Sequence, residues 1–502
     1  MAEPPTKRRR LSNVDGDAPA PATLSSLSHP ISPPRKKRDT VRTRITSPFR
    51  LTSIRDLVDT CNVGAVSLGD LVGDPLIAEL WDFNYLHDLD FLMGHLDEDT
   101  RALTRVHVVH GFWKREDPNR LLLQEQVGRH KNITLHTAYM PEIPGHNPYS
   151  KHDYEGLDEY DEWDLDFAIA PKTQIAWAGS CYLRAYNKVR NVCGSLVEEL
   201  TKYDFSAVRA ALIASVPGKH DVDQEPEVTR WGWQGLKETL KSVPVQPGAS
   251  DIAVQISSIA TLGATDTWLQ RTLFDSLAAS KPSFQQLPSS ASSRNPRPNF
   301  KIIFPTADEI RRSLDGYASG GSIHTKIQSA AQTKQLQYLR PLFHHWANNT
   351  AEGVVASTPA SGNAISCHRD AGRKRAAPHI KTYIRYGDKS IDWALLTSAN
   401  ISKQAWGEAI NKAGEVRIAS WELGVLVWPE LLTGDAEAKM VGTFKADEPK
   451  SDDDSGDDSS PIVGLRIPYN LPLQKYGDSE VPWVATMSYT EPDWLGRVWL
   501  GY

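Results

Sequence analysis

The residues best suited to chemistry lie within residues 378–402. His379 and Lys381 are separated by one residue, so in an extended segment both side chains leave the chain on the same face. A second apolar run, residues 393–396, then leads to Asn400, whose amide would lie beside that pair. Phosphoryl transfer needs a proton carrier, a fixed positive charge and neutral donors around the oxygens on phosphorus. The spacing therefore indicates a phosphoryl-transfer site.

A chance occurrence of the same pattern is the alternative. The chain contains a second His-x-Lys pair, His324 and Lys326, which is followed by Gln-Ser-Ala-Ala and not by an apolar strand. We interpret this second pair as a solvated loop or the start of a helix. Spacing alone leaves a catalytic and an incidental role for His379 and Lys381 equally open.

Three linked blocks resemble a known family. They read Pro-His-Ile-Lys at 378–381, Thr-Ser-Ala-Asn-Ile-Ser-Lys at 397–403 and Trp-Glu-Leu-Gly-Val-Leu at 421–426. In this order they resemble the second half of eukaryotic tyrosyl-DNA phosphodiesterases, which belong to the phospholipase D superfamily. The resemblance implies an α/β fold of two similar phospholipase D-like domains, each a mixed β-sheet flanked by helices, with the first domain incomplete here.

The resemblance also implies a role for each site residue. His379 would protonate the departing phenolate and then activate water against a phospho-histidine intermediate. Lys381 and Asn400 would stabilise the charge that develops on the phosphoryl oxygens. Glu422 would hydrogen-bond an active-site imidazole and fix its tautomer. Ser402 would lie near the substrate and the DNA backbone.

A further segment is similar to the part of the family that lines the DNA path. Residues 254–263 resemble the family's strand and turn, and within them Ser258 and Thr261 are candidate DNA contacts. Small hydroxyl side chains and backbone amides let a phosphate approach closely. A capping role for the same hydroxyls is the alternative.

The first half lacks the family's first His-x-Lys, which carries the nucleophile. After Gly145 the chain continues His-Asn-Pro-Tyr-Ser-Lys-His-Asp, with no His two residues before a Lys, and residues 153–166 are densely acidic. Pro148 would remove a ladder donor from a central strand. The nucleophile is therefore unknown. Either the gene product lacks half of its site, or the sequence is a mispredicted splice form; recruitment of His146 or His152 is a third alternative.

Composition limits the class of protein. The 502 residues, 40% of them hydrophobic, suffice for two sizeable cores, and no apolar run is long enough to span a bilayer. We expect no secretory signal, because the first residues lack an apolar segment. The 4 cysteines have no paired spacing, which indicates a reducing compartment. The net charge of -6 excludes a uniformly basic nucleic-acid binder, and no carboxylate cluster predicts a metal or other cofactor.

The predicted organisation has three parts. Residues 1–46 form a disordered basic tail, 47–230 the first phospholipase D-like domain and 231–502 the second, which includes an acidic loop at 446–460. The basic clusters at 7–10 and 35–38 predict a nuclear import signal and hence a nuclear location, with nonspecific phosphate binding as the alternative.

Individual elements are also predicted. We expect strands at 106–110 and 416–421, an amphipathic helix at 235–242, a helix at 336–346 and a buried Trp346. The loop before His379 contains Arg369, Arg373, Lys374 and Arg375, and is either a solvated loop or an electrostatic guide for the substrate.

Together these features predict a metal-independent phosphodiesterase. The resemblance implies that it clears a tyrosine-linked, topoisomerase-derived peptide from a DNA 3′ end. The implied partners are single- or double-stranded DNA with 3′ adducts, that peptide and a nuclear import receptor; no membrane is implied, and the protein is expected to be a monomer. The alternative is a noncatalytic DNA-end-binding protein or a mispredicted splice form that lacks the nucleophile.

Overall fold

The central strands are short apolar segments that are buried on both faces. The computed structural model describes residues 43–84, 87–112, 114–138, 182–185, 192–205, 207–223, 229–282, 296–347, 369–388, 390–450 and 460–501. In the strand Ile391–Thr397 every residue is buried. Trp393 and Leu395 contribute to one hydrophobic cluster, whereas Ala394 and Leu396 contribute to another. Because side chains alternate along a strand, this segment forms the centre of a sheet covered on both sides.

The described residues contain fifteen strands. In chain order they are β1 Arg44–Ile45, β2 Glu79–Phe83, β3 Arg105–His110, β4 Ile133–Thr137, β5 Ala211–Ser215, β6 Gly218–Asp221, β7 Asp251–Gln255, β8 Asn299–Ile303, β9 Phe343–His344, β10 Thr382–Tyr386, β11 Ile391–Thr397, β12 Glu415–Ile418, β13 Glu422–Val427, β14 Lys439–Thr443 and β15 Ile462–Arg466.

Helices connect most of these strands. They are α1 Leu68–Val72, α2 Leu89–His95, α3 Pro118–Val127, α4 Gly194–Leu200, α5 Gly232–Leu240, α6 Asp275–Leu277, α7 Ala307–Arg311, α8 Ala330–Leu339, α9 Lys403–Trp406 and α10 Pro429–Thr433. A π-helical segment, Leu269–Phe274, leads directly into α6, and short 3-10 turns lie at Asp59–Cys61, Gly316–Ser322 and Arg340–Leu342.

The largest sheet mixes parallel and antiparallel pairs. Its order is β1-β15-β14-β11-β10-β7-β8-β9, and β13 pairs with both β11 and β5. Strands β7, β10, β11 and β13 run antiparallel to their neighbours in that series, whereas β7 and β8 are parallel. Leu236 and Leu240 of α5 pack against one face of this sheet and are fully buried, as the amphipathic spacing predicts. The predicted mixed α/β architecture is confirmed.

The first half of the chain contributes to three sheets. Strands β2, β3 and β4 form a small parallel sheet, and its core includes Val106, Val108 and the apolar faces of α1 to α3. Strand β5 instead pairs with β13, and β6 pairs with β12. Backbone hydrogen bonds therefore join residues 211–221 to the second half of the chain.

Three of the predicted elements are wrong in their bounds. The helix expected at 235–242 is α5, which begins at Gly232 and ends at Leu240. The helix expected at 336–346 is α8, which begins at Ala330 and ends at Leu339, because Pro341 has no N–H to continue it. Trp346 lies beyond β9 and is buried, as expected. The strand expected at 416–421 is β12, which ends at Ile418, and Glu422 opens a separate strand, β13.

The ends of two predicted disordered segments belong to the fold. Arg44 and Ile45, assigned to the tail, pair with β15 because their backbone continues its ladder. Asp447, assigned to the acidic loop, forms an ion pair of 3.1 Å with the buried Arg466. The basic clusters at 7–10 and 35–38 and most of the acidic loop lie outside the described residues. Among the described helices, none has the length and apolar character needed to cross a bilayer.

Candidate active site

Four strands of the large sheet bring their predicted site residues to one end. Lys381 directly precedes β10, and its carbonyl accepts a hydrogen bond of 3.1 Å from the backbone N–H of Thr397, the last residue of β11. Thr382 at the start of β10 pairs with Gln255 at the end of β7. Since antiparallel neighbours place the start of one strand beside the end of the next, the adjoining loops lie at one edge of the sheet.

His379 and Lys381 contact each other at this edge. The Nζ of Lys381 lies 3.2 Å from Nδ1 and 3.4 Å from Nε2 of His379. Lys381 is buried and His379 is half-buried. Because an ammonium only donates, the imidazole nitrogen that faces it accepts. The two side chains therefore form one unit, as the spacing of one residue predicts.

The segment before β10 is held in place by Gln255. This buried side chain donates through Nε2 to the carbonyl of Pro378 at 3.4 Å, and its Oε1 accepts from the Thr382 hydroxyl at 3.4 Å. The amide thus bonds the chain on both sides of His379 and Lys381. A buried amide with both ends satisfied stabilises one local conformation.

The Asn400 side chain has a fixed orientation. Its Oδ1 accepts hydrogen bonds from the backbone N–H of Ser257 at 3.0 Å and of Ser258 at 2.9 Å. Backbone N–H groups only donate, so the other end of the amide is the NH₂ group. This Nδ2 makes no hydrogen bond within the described ranges. Asn400 can therefore offer a donor to an oxygen on phosphorus.

Tyr383 positions the loop that carries Asn400. Its hydroxyl donates to the carbonyl of Ala399 at 3.0 Å and accepts from Nε1 of Trp406 at 3.2 Å. Complete burial raises the pKa of Tyr383 well above its usual value, so the phenol stays protonated and keeps donating. The hydrogen bond from the buried Tyr383 hydroxyl therefore holds the loop between β11 and α9 in one position.

Glu422 lies one strand further across the sheet. It is the first residue of β13, and its Oε2 accepts a hydrogen bond of 2.6 Å from the hydroxyl of Ser398. The same hydroxyl accepts from the backbone N–H of Leu423 at 3.1 Å. Ser398 thus links the loop after β11 to the carboxylate.

Close contact between β11 and β13 fixes the position of this carboxylate. Gly424 pairs with Thr397, and a Cβ on Gly424 would lie 2.7 Å from the Cβ of Thr397. Such a separation is far below van der Waals contact, so only glycine fits here.

The three predicted DNA contacts occupy different settings. Ser258 is half-buried beside Asn400, and Thr261 is exposed and accepts a hydrogen bond of 3.0 Å from Nε2 of Gln332. Ser402 is the N-cap of α9, where its hydroxyl oxygen accepts from the backbone N–H of Ala405 at 2.9 Å. Because each oxygen accepts within the fold, the hydroxyl protons of Thr261 and Ser402 remain available for donation.

The cationic loop before His379 has two kinds of residue. Arg373 is buried and donates to the carbonyl of Thr52 at 2.8 Å, so it is part of the interior and not an electrostatic guide. Burial lowers its pKa to about 10. Arg375 lies over the ring of Trp494 at 5.2 Å, and Arg369 over that of Phe444 at 5.7 Å. Lys374 is exposed.

Sequence reasoning missed several residues that position the site. Gln255, Tyr383 and Ser398 each hydrogen-bond a segment that carries a predicted site residue. Their place within the same apolar strands and small-residue turns is a signal in the sequence, but it does not distinguish a supporting residue from an ordinary core residue. The segment in which the resemblance would place the nucleophile, including His146 and His152, lies outside the described residues.

Comparison with known proteins supports the family resemblance. The family described as tyrosyl-DNA phosphodiesterase matches residues 48–147 and 180–477 of this chain. The interval between these segments coincides with the stretch in which the family's first His-x-Lys is missing from the sequence.

Curated relatives match along most of the chain. A probable tyrosyl-DNA phosphodiesterase of Schizosaccharomyces pombe is 26% identical over 93% of this chain and 98% of its own length. The tyrosyl-DNA phosphodiesterase 1 of Arabidopsis thaliana is 27% identical over 91% of this chain and 77% of its own length.

The fold is similar to a solved member of the family. The crystal structure of the yeast tyrosyl-DNA phosphodiesterase superposes with a TM-score of 0.53 at 16% identity, over 88% of this chain and 98% of that one. This similarity identifies the fold, whereas the sequence match to the family covers well over half of the chain. The chain belongs to the tyrosyl-DNA phosphodiesterase family, whose members are phosphodiesterase hydrolases.

Proposed function

We propose that this protein hydrolyses the bond between a topoisomerase-derived tyrosine and a DNA 3′ phosphate. The observation that carries the proposal is the contact of Lys381 Nζ with the His379 ring, 3.2 Å from Nδ1, at the sheet end where Asn400 has a free amide donor. A proton carrier, a positive charge and a neutral donor are thereby available to one phosphoryl group. Family membership supports the choice of substrate.

His379 would act first as an acid and then as a base. In the first step a nucleophile attacks phosphorus, the bond from phosphorus to the tyrosine oxygen breaks, and His379 gives its proton to that oxygen. In the second step water attacks phosphorus, His379 takes the proton of the water, and the bond to the nucleophile breaks. Lys381 and Asn400 would stabilise the charge on the non-bridging oxygens in both steps. Glu422 would orient an imidazole.

The nucleophile separates two candidate functions. In the family resemblance it is a histidine of the first His-x-Lys, and residues 141–191 of this chain contain no such pair. This observation favours a second candidate, a DNA 3′-end-binding protein in which the second half holds the phosphate without attacking it. A mispredicted splice form would remove the difficulty, because the complete gene product would then contain the nucleophile.

The cellular setting is also a proposal. The basic clusters at 7–10 and 35–38 support recognition by a nuclear import receptor and a nuclear location. The substrate would be single- or double-stranded DNA with a 3′ adduct, and the protein would act as a monomer. A fusion of residues 1–46 to a fluorescent protein tests the import signal, and cytoplasmic retention of that fusion would contradict it.

A 3′-phosphotyrosyl oligonucleotide tests the activity directly. The full chain is incubated with it in the presence of a chelator, and tyrosine release and DNA binding are measured separately. We expect release by the wild type, and a persistent protein–DNA adduct for His379→Asn, since water would no longer be activated. Binding without release supports the end-binding function. If His379→Asn released tyrosine at the rate of the wild type, the role assigned to His379 would be wrong.

The transcript provides a second, independent test. Sequencing of cDNA through the codons of Gly145 and His146 shows whether an exon is skipped. A transcript that encodes an additional His-x-Lys at this point supports the splice-form explanation. A continuous reading identical to the present sequence would exclude it and leave the end-binding function as the stronger candidate.

A further inference from the structure

The second His-x-Lys pair lies beside the proposed DNA path, a few residues before α8 begins at Ala330. The backbone N–H of His324 donates to the carbonyl of Ser257 at 2.9 Å, and the N–H of Ile259 donates to the carbonyl of His324 at 2.9 Å. These two bonds form a parallel bridge between His324 and Ser258. His324 is therefore not in a solvated loop, because its backbone pairs with Ser258 in the segment that follows β7.

The bridge determines which side chains share a face. Residues paired in a bridge project to the same side, so His324 and Ser258 lie side by side. Burial alternates along the segment: Ile323 and Thr325 are buried, whereas His324 and Lys326 are half-buried. This period of two is that of an extended chain with its odd-numbered residues in the core. Lys326 therefore returns to the face that carries His324 and Ser258.

The charge on this face is positive. Lys326 forms no ion pair or hydrogen bond with any residue of the described ranges. On the other side of the turn at 258–263, the Nζ of Lys403 lies 4.0 Å from the position that a Cβ on Gly263 would occupy. The turn is thus flanked by lysines on both sides, which favours a polyanion that lies across it.

Helix α8 keeps the turn rigid. Gln335 donates through Nε2 to the carbonyl of Ala260 at 2.8 Å, and its Oε1 accepts from the N–H of Leu262 at 2.7 Å. Tyr338 donates its hydroxyl proton to the carbonyl of Gly263 at 3.2 Å. A surface that does not need to reorganise can bind a flexible strand at lower entropic cost.

We propose that His324 and Lys326 bind backbone phosphates of the strand that carries the 3′ adduct, at nucleotides 5′ to the reacting phosphorus. The inference rests on the proposed function, and it extends the path from Ser258 along the face defined above. His324 and Lys326 act only on the strand and do not contact the reacting phosphorus. Their contribution therefore requires a substrate long enough to reach them.

Substrate length is the variable that tests the inference. Binding of a 3′-phosphorylated single-stranded oligonucleotide of about ten nucleotides is compared with that of thymidine 3′-phosphate, for the wild type and for the double variant His324→Gln with Lys326→Gln. We expect the double variant to bind the oligonucleotide about 10-fold more weakly near 0.1 M salt, with a shallower salt dependence. Binding of the mononucleotide should not change.

A matched control uses a lysine on the neighbouring helix. Lys334 of α8 is exposed, and we expect Lys334→Gln to retain the affinity of the wild type for both ligands. Equal affinity of the double variant and the wild type for the oligonucleotide would overturn the inference. It would also be overturned if the double variant lost affinity only for adducts that carry a peptide, since the face would then bind the peptide.

Two further outcomes separate this inference from the proposed function. A wild type that binds neither ligand shows that the proposed function is wrong. A normal length dependence together with loss of a covalent histidine adduct in His324→Gln would place His324 at the phosphorus and overturn its assignment to the strand.

Discussion

The Oδ1 of Asn400 lies 2.9 Å from the backbone nitrogen of Ser258, so the loop after β11 and the turn after β7 are joined by a single side chain. The second N–H, from Ser257, makes the orientation of the amide unambiguous. One end of the Asn400 amide, Oδ1, holds the two segments together, whereas the other end, Nδ2, can donate to a phosphate oxygen.

Substitutions at Asn400 separate these two ends. Asn400→Asp keeps an acceptor for the N–H groups of Ser257 and Ser258 but replaces the NH₂ donor by a charged oxygen. We expect the variant to fold with little change in melting temperature and to lose about 10²- to 10³-fold in turnover or in affinity for a 3′ phosphate. Asn400→Ala should lose both stability and affinity. A normal affinity for Asn400→Asp would exclude a contact between the amide and the phosphate.

The charge of Lys381 can be removed while its aliphatic stem is kept. Lys381→Met should weaken binding of a 3′-phosphate end and lower the slope of log affinity against log salt by about 1, because one phosphate contact is lost. The free energy of unfolding should change by no more than about 2 kcal/mol, since a buried charge contributes little net stability. An unchanged salt slope, measured by titration at several salt concentrations, would show that Lys381 does not contact phosphate.

Ser402 has two proposed roles that substitutions can distinguish. Ser402→Ala removes the cap of α9 and should lower the free energy of unfolding by about 1 kcal/mol. Ser402→Asp restores a capping oxygen but places a negative charge near the DNA path. If Ser402 contacts the DNA backbone, Ser402→Asp should fold like the wild type and bind DNA more weakly than Ser402→Ala. Equal DNA affinity of the two variants would leave the cap as its role.

The close approach of β11 and β13 predicts sensitivity at Gly424. Gly424→Ala would push Thr397 away and should lower the free energy of unfolding by about 1–3 kcal/mol. Turnover should also fall, because Ser398 directly follows β11 and Glu422 is the first residue of β13, so both would move with the displaced strands. Gly387 provides a control between β10 and β11: a Cβ there has its nearest neighbour at 3.8 Å, so Gly387→Ala should leave both properties unchanged. Equal behaviour of the two variants would contradict this explanation.

The adjacent residues His344 and His345 should make the free energy of unfolding depend on pH in opposite directions. Burial lowers the pKa of His344 from 6.5 to about 4. The unfolded chain therefore binds a proton first, and stability should decrease as the pH falls from about 6.5 to about 4. For His345 burial lowers the pKa, but Glu309 and Glu480 outweigh it and raise the pKa above 6.5. Its contribution is complete below pH 6.5 and is lost as the pH rises through the folded pKa.

Denaturant unfolding at several pH values checks both histidines. His344→Gln should remove the acid-side loss, and His345→Gln should remove the stabilisation present below pH 6.5. Parallel stability curves for a variant and the wild type would contradict the assignment for that residue.

The sequence predicted local relationships in the site well. A separation of one residue placed His379 and Lys381 together, because alternation along an extended chain is a property of the backbone itself. The spacing of Leu236 and Leu240 correctly placed both in the core, because residues four apart lie on one face of a helix. Asn400 was selected by its position after an apolar strand, but the capture of its oxygen by Ser257 and Ser258 depends on a pairing between distant strands.

Predictions failed where tertiary contacts override composition. Arg373 belongs to a run of cations that suggests an exposed loop, yet it is buried against the carbonyl of Thr52. The residues after His324 correctly indicate a helix start, since α8 begins at Ala330, but they do not indicate that the backbone of His324 itself pairs with Ser258. In both cases the partner lies far away in sequence, where no local periodicity can indicate it.

The pairing of β5 with β13 has a consequence for how this chain can be divided. A fragment that begins near residue 231 would keep His379, Lys381 and Asn400 but would leave one side of β13 as an open edge with unsatisfied backbone groups. Segments 211–215 and 218–221 therefore cover β13 and β12 in the half that carries these residues, and a shortened protein that is to keep this half folded should include them together with the β1 segment that pairs with β15.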